Sequence, residues 1–163
     1  MKPLVSIIMG SVSDFPIMEE AGKFLDEMGI QYEYNALSAH RTPDLVLDLS
    51  KKAKERGIKV FIAGAGGAAH LPGVVAACTS IPVIGVPIKA SISIDGWDSI
   101  LSILQMPAGI PVATVALNNA RNAGILATQI IATGDGALYE KLMAFKETMK
   151  KKVVEANNNL QKS

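Results

Sequence analysis

Residues 4–14 read LVSIIMGSVSD. A run of branched and apolar side chains stops at Gly10, and Pro16 follows a few positions later. A short continuous apolar run of this kind is what a strand buried on both faces needs, as in a parallel sheet. The glycine ends the strand. The proline suits the first turn of a helix, where its missing N–H costs nothing, and the helix is predicted from about Phe15 to a stop at Gly29.

The same strand, loop and helix unit recurs along the chain. YEYNAL (Tyr32–Leu37) reads as a second strand, polar enough for a sheet edge. Thr42-Pro43-Asp44 is a helix start: Thr42 as cap, Pro43 in the first helical position, Asp44 at the positive end of the dipole. That helix is expected to end near Gly57. KVFIA (Lys59–Ala63) is the third strand, and a short helix to about Cys78 leads to the fourth, PVIGV (Pro82–Val86). DSILSIL (Asp98–Leu104) is helical, PVATVAL (Pro111–Leu117) is the fifth strand, and a helix spans about Asn119 to Ala132. After the turn Gly134-Asp135-Gly136, a final helix runs from about Ala137 to Asn157. Strands alternating with helices imply a parallel sheet covered on both faces. The expected fold is a single α/β domain over residues 1–163, a doubly wound, flavodoxin-like sheet of five strands. Ligands in such sheets bind beyond the carboxyl ends of the strands, where strand order reverses.

The last helix carries Leu138, Leu142, Phe145, Met149 and Val153 as an apolar stripe. The stripe can pack on its own subunit or on a neighbour. Trp97 suits a core or interface position. Cys78, the one cysteine, lies in an apolar segment and is expected to be buried packing; alone it makes no internal disulfide, which fits a reducing cytoplasm. The net charge of +1 argues against a nucleic-acid surface or a polybasic membrane patch. The cluster Lys150-Lys151-Lys152 reads as a solvated helix end. Neither a leader nor an apolar run of about 18 residues is evident, so a cytoplasmic protein without membrane association is expected.

Three loops that follow strands one to three carry the polar chemistry, and all three project from one sheet edge. GSVSD (Gly10–Asp14) sits at a helix N-terminus that favours an anion, with Ser11 and Ser13 adding hydroxyls. Asp14 suits a ribose diol better than a phosphate. The alternative is that Ser13 or Asp14 simply caps the helix. SAHRTP (Ser38–Pro43) offers Arg41, a rigid fork matched to phosphate, and His40, the side chain there able to give and take protons near neutral pH. Ser38 and Thr42 add hydroxyls. GAGGAAHLPG (Gly64–Gly73) has four glycines and no charged residue; Ala65, Ala68 and Ala69 keep that wall small and dry. His70 either touches substrate or serves a structural purpose. Two histidines without a carboxylate and cysteine grouping do not make a metal site, and a G-x-S-x-G elbow is missing. The loops describe an enzyme without metal or organic cofactor that acts on a ribonucleotide-like monophosphate.

These stretches resemble class I 5-(carboxyamino)imidazole ribonucleotide mutase of bacterial purine biosynthesis. The likeness runs over Met9–Asp14 (MGSVSD), Ser38–Pro43 (SAHRTP), Ala63–Gly73 (AGAGGAAHLPG), Ile81–Pro87 (IPVIGVP), Asp98–Thr114 (DSILSILQMPAGIPVAT) and Asn122–Ala132 (NAGILATQIIA). The resemblance implies a three-layer α/β/α sandwich assembled as a homo-octamer, with active sites between subunits and a C-terminal helix reaching over a neighbour. It implies phosphate and ribose contacts at Ser11, Asp14 and Arg41, and His40 as the general acid/base. The wall of ring and carboxylate would fall at Gly66 to Leu71, including Ala68 and His70. It implies a cofactor-free migration of the substrate carboxylate from the exocyclic nitrogen to the ring carbon, by loss and recapture of carbon dioxide. Class II relatives, which carboxylate aminoimidazole ribonucleotide directly, share SAH but continue with Lys; Arg41 and His70 point to class I. Direct carboxylation and a non-catalytic ribonucleotide or flavin-phosphate module are the rival readings. Two stretches depart from the family pattern: Lys89–Gly96 (KASISIDG) is one residue longer, and Leu117–Arg121 (LNNAR) replaces a more glycine-rich segment.

Overall fold

The computed structural model describes residues 2–161. The first strand is β1 (Val5–Met9), and all five of its residues are buried. A 3₁₀ turn (Val12–Asp14) leads into α1 (Phe15–Met28), which closes on Gly29 in the left-handed region at φ 76°. Then follow β2 (Tyr32–Ala36), α2 (Pro43–Lys51), α3 (Ala53–Arg56), β3 (Val60–Gly66), α4 (Leu71–Cys78) and β4 (Val83–Ile88). The chain continues with α5 (Trp97–Leu104), β5 (Ala113–Thr114), α6 (Ala120–Ala132) and α7 (Gly136–Leu160).

The strands form one parallel sheet in the order β2-β1-β3-β4-β5. Val5 lies opposite Tyr32 on one side and Val60 on the other, so β1 is central and β2 is an edge. Alternate side chains feed two cores. Val5, Ile7 and Met9 join Val60 and Ile62 under α1, α6 and α7, where Phe24, Leu25, Ala123 and Leu138 meet them. Ile8, Phe61 and Ala63 face Val46, Val75 and Ile103 of α2, α4 and α5. This is the expected α/β/α sandwich. Each such side chain taken fully out of water contributes about 1.5–3 kcal/mol. Ser6, the polar member of the first run, is fully buried. Its hydroxyl donates to Glu33 Oε1 (2.9 Å) and accepts from Asn35 Nδ2 (3.2 Å), and Glu33 pairs with Arg56.

The structure departs from the sequence expectations in specific places. The fifth strand shrinks to two residues. Pro111 cannot donate to a ladder, and beyond Thr114 the contact with β4 survives as single bonds, Val115 N–H to Gly85 O (3.1 Å) and Asn118 N–H to Pro87 O (2.8 Å). The helix expected to reach Gly57 is broken at Lys52. Ser50 Oγ donates back to Val46 O at 2.7 Å, a side-chain bond that competes with the helix ladder. Thr42 precedes α2 but makes no side-chain cap; its hydroxyl turns back to Ser38 instead. Cys78 is only half-buried, and it borders a groove with Lys51, Lys54 and Lys59 at the opposite end of the sheet. Trp97 is 64% exposed, which removes the core reading. The stripe on α7 divides: Leu138 and Leu142 are buried against the same chain, whereas Met149 and Val153 are exposed. Among the described residues, no helix is long and apolar enough to cross a membrane.

Gly124 shows how tightly α6 crosses α1. A Cβ there would stand 2.8 Å from Ala21 O, which is backbone and cannot step aside. Gly124→Val is expected to lower stability by about 1–3 kcal/mol through overpacking, read as a lower midpoint in urea.

Candidate active site

The reversal of strand order falls at β1, which has β2 on one side and β3 on the other. The loops that leave these three strands surround a cavity of about 400 Å³. Gly10, Ser11, Ser13, Asp14, Ser38, Ala39, His40 and Arg41 line its polar half; Ala65, Gly66, Ala68, Leu71, Ala90 and Ile92 line the apolar half.

In the first loop, Ser11 at an extended φ of −153° precedes the 3₁₀ turn. Its Oγ accepts from the Ser13 N–H (3.3 Å) and from the Ser13 hydroxyl (2.9 Å). The cap is therefore Ser11, and neither Ser13 nor Asp14 caps α1 through its side chain. Asp14 is only 8% exposed. Burial pushes its carboxyl above the ordinary carboxylate value, and a backbone hydrogen bond from Ser11 pulls it partly back.

The second loop is wound around Ser38. Its Oγ accepts from the N–H groups of His40 (3.3 Å) and Arg41 (3.2 Å), while its own N–H donates to Thr42 Oγ1 (2.9 Å). This turn sends His40 and Arg41 in different directions. Arg41 Nη2 donates to Gly10 O at 3.0 Å and ties the second loop to the first. That bond occupies one donor of the guanidinium and leaves the rest of the fork along the exposed rim. His40 Nε2 lies 2.8 Å from His70 Nδ1, with the rings edge to face at 4.9 Å between centroids. One of those two nitrogens must carry a proton for this contact to be a hydrogen bond.

The third loop owes its glycines to packing and turn geometry. A Cβ on Gly64 would lie 2.3 Å from Met18 Sδ, and one on Gly66 would lie 2.7 Å from Ala90 Cβ. Gly67 holds φ at +63°, the left-handed region. Gly66 also lines the cavity. His70 precedes α4 without capping it by its side chain and touches His40 rather than lining the cavity.

The structure therefore brings together Ser11, Ser13, Asp14, Ser38, His40, Arg41, Gly66, Ala68 and Leu71 around one cavity, with His70 one contact behind. Sequence reasoning missed Ala90, Ser91 and Ile92, which line the cavity from the loop after β4. The signal was available: a loop leaving a fourth parallel strand opens on the same edge. The arrangement offers a buried carboxylate, a guanidinium, a pair of imidazoles in contact and a small apolar wall. It can hold a polar, charged small molecule at one end and a flat uncharged group at the other, and move a proton between them.

The molecule is thus a flavodoxin-like α/β protein with a cavity at its strand-order reversal. Comparison with known proteins gives the family: the AIR carboxylase family matches residues 4–152, and the chain belongs to it. It is 56% identical over 160 residues to the N5-carboxyaminoimidazole ribonucleotide mutase of Pyrococcus horikoshii, covering 98% of this chain and 90% of that one. It is 52% identical to the Bacillus subtilis protein of the same name, covering 98% and 99%. It is also 54% identical to the phosphoribosylaminoimidazole carboxylase of Schizosaccharomyces pombe, of which it spans only 29%. A crystal structure of Treponema denticola PurE superposes with a TM-score of 0.87 at 32% identity, covering 98% of this chain and 99% of that one.

The raised pKa of Asp14 sets a pH expectation. Folding disfavours its charged form, so Asp14 detracts from stability at neutral pH, and this loss is relieved as pH falls through the raised folded value toward the ordinary 3.8. Asp14→Asn should raise the melting temperature of the unliganded protein at pH 7, and the gain should shrink on acidification through that window. Equal melting temperatures at pH 7 would contradict it.

Proposed function

We propose that the protein is a 5-(carboxyamino)imidazole ribonucleotide mutase of purine biosynthesis, an isomerase that moves a carboxylate from the exocyclic nitrogen to the adjacent ring carbon. The observation that carries the reading is the convergence of Asp14, His40 and Arg41 on one cavity with an apolar wall, in a chain more than half identical to proteins of that name.

The residues take up the following tasks. Arg41 and the Ser11 and Ser13 hydroxyls hold the phosphate near the first loop, and Ser38 adds a hydroxyl beside them. Asp14 accepts from the ribose hydroxyls. The ring lies against Gly66, Ala68 and Leu71. His40 gives a proton to the exocyclic nitrogen as its bond to the carboxylate carbon breaks, releasing carbon dioxide. The nitrogen lone pair then drives the ring carbon onto carbon dioxide; a carbon–carbon bond forms and the proton on that carbon returns to His40. Proton count and electron count are unchanged over the cycle, so no external reductant or oxidant is needed. The neighbouring His70 ring gives the proton a second resting place at 2.8 Å while His40 changes roles. Proton transfer of this kind contributes about 10²–10⁴-fold, and keeping carbon dioxide beside the ring supplies the larger proximity contribution.

The exposed apolar residues of α5 and of the outer half of α7, among them Trp97, Leu101, Leu104, Met149 and Val153, support assembly with further copies; the octamer and the cytoplasmic setting are proposed from the resemblance alone.

The decisive assay follows interconversion of the two carboxylated ribonucleotides without added bicarbonate. Turnover that requires free carbon dioxide and ignores the carbamate would assign the protein to direct carboxylation. His40→Asn should abolish turnover while leaving nucleotide affinity within about tenfold; unchanged activity would remove His40 from the mechanism. Arg41→Ala should weaken substrate binding by about 1.5–3 kcal/mol, measured by calorimetric titration.

A further inference from the structure

The loop between β4 and α5 has no part in the mechanism above, yet it closes one side of the cavity. Ala90, Ser91 and Ile92 line the pocket, with Ala90 and Ile92 against the glycine wall. The loop is anchored at both ends. At its start the Lys89 N–H donates to Asn118 Oδ1 at 2.9 Å, and Asn118 holds a left-handed φ of 58° to present that oxygen. Across the base, Lys89 Nζ is paired with Asp95. At its far end Asp95 and Gly96 take left-handed φ values of 55° and 89°, which turn the chain into α5. The Asp98 carboxylate then accepts from the Ile94 N–H at 3.1 Å.

Between these anchors the loop is fastened to the glycine wall by one side chain. Ser93 Oγ accepts from Gly67 N–H at 3.3 Å and from Ala90 N–H at 3.0 Å. Ile92, next to it, lies over Gly67: a Cβ on that glycine would stand 3.0 Å from Ile92 Cδ1. Ile92 is nevertheless 79% exposed. A large branched apolar side chain, held over the apolar half of a site yet mostly in water, covers the site and fills no core. Taking its apolar surface out of water is favourable, so a flat apolar group in the cavity favours Ile92 packing down on it.

We propose that Ile92 is the seal that keeps carbon dioxide in the cavity during the reaction, and that Ser93 is the positioning residue that fixes this seal to Gly67. The inference rests on the mutase reading above and adds a residue to it. After the carbon–nitrogen bond breaks, the intermediate is an uncharged amine beside a small apolar molecule that no side chain can hold by charge. Retention then depends on walls. Gly66, Ala68 and Leu71 form part of the apolar wall, and Ala90 and Ile92 of the β4–α5 loop supply the rest. If carbon dioxide escapes, the atoms still balance: the proton stays on the exocyclic nitrogen and free aminoimidazole ribonucleotide is left behind.

The test uses the carbamate labelled with ¹³C in its carboxylate, in buffer with unlabelled bicarbonate, and counts label retained in the carbon-linked product. The unaltered protein should retain it. Ile92→Ala should raise the label lost per turnover, and the free amine formed, by about tenfold, with KM for the carbamate within about threefold. Ile92→Leu should restore retention, and Ser93→Ala should leak like Ile92→Ala. Because Ile92 is mostly exposed, Ile92→Ala should leave the melting temperature unchanged. Retention in Ile92→Ala equal to that of the unaltered protein, or a rise in KM with no leak, overturns the sealing role and leaves the mutase reading standing. Failure of the unaltered protein to convert the carbamate overturns both.

Discussion

Because β1 is hydrogen-bonded on both edges and covered on both faces, its direction and register cannot slip. A one-residue shift would move Val5, Ile7 and Met9 out of one core and Ile8 out of the other. Everything at the cavity depends on that. The loops after β1, β2 and β3 leave the sheet side by side only because β1 lies between the other two strands. With the strands fixed, the bond from Arg41 to Gly10 O joins neighbouring loops, and the contact between His40 and His70 bridges the loops on either side of β1 at hydrogen-bond distance. No long-range folding back of the chain is needed to build them.

Stability and chemistry use different halves of the same loops. The glycines of the third loop are demanded by Met18 beneath Gly64 and Ala90 beside Gly66, while Ala68 and Leu71 in the same stretch face the cavity. Ser38 holds its turn by accepting two backbone N–H groups, and that turn is what separates the directions of His40 and Arg41. Asp14 is a conflict between the two halves: its burial makes its charge unfavourable in the empty protein. Charged groups held against their own stability are common where a ligand supplies the missing partners.

The segment from Leu117 to Arg121 is held by its own side chains. Asn118 takes the left-handed conformation that a glycine would otherwise supply, and asparagine tolerates it. Asn119 Oδ1 accepts from the Asn122 N–H and caps α6. Arg121 makes a two-bond contact with Glu27 (3.0 and 2.9 Å) and lies over the Phe24 ring, so it fastens α6 to α1. These side chains anchor the segment, and one of them, Asn118, reaches the loop that carries Ile92.

By itself the amino-acid sequence determined the element order and the sheet class. Runs such as Leu4–Met9 and Lys59–Ala63 admit few alternatives once glycine and proline mark their ends. It also determined which three loops carry polar chemistry, because parallel strands must open on one edge. Only the tertiary structure decided what lies across chain distance. The pairing of His40 with His70 spans thirty residues, the Ser93 hydroxyl meets Gly67 from twenty-six away, and the burial of Asp14 depends on what packs around it. The break at Lys52 and the turned-in Thr42 were equally beyond pattern. Each is a competition between one hydrogen bond and another of similar strength, and such contests are settled by neighbours in space rather than by neighbours in sequence.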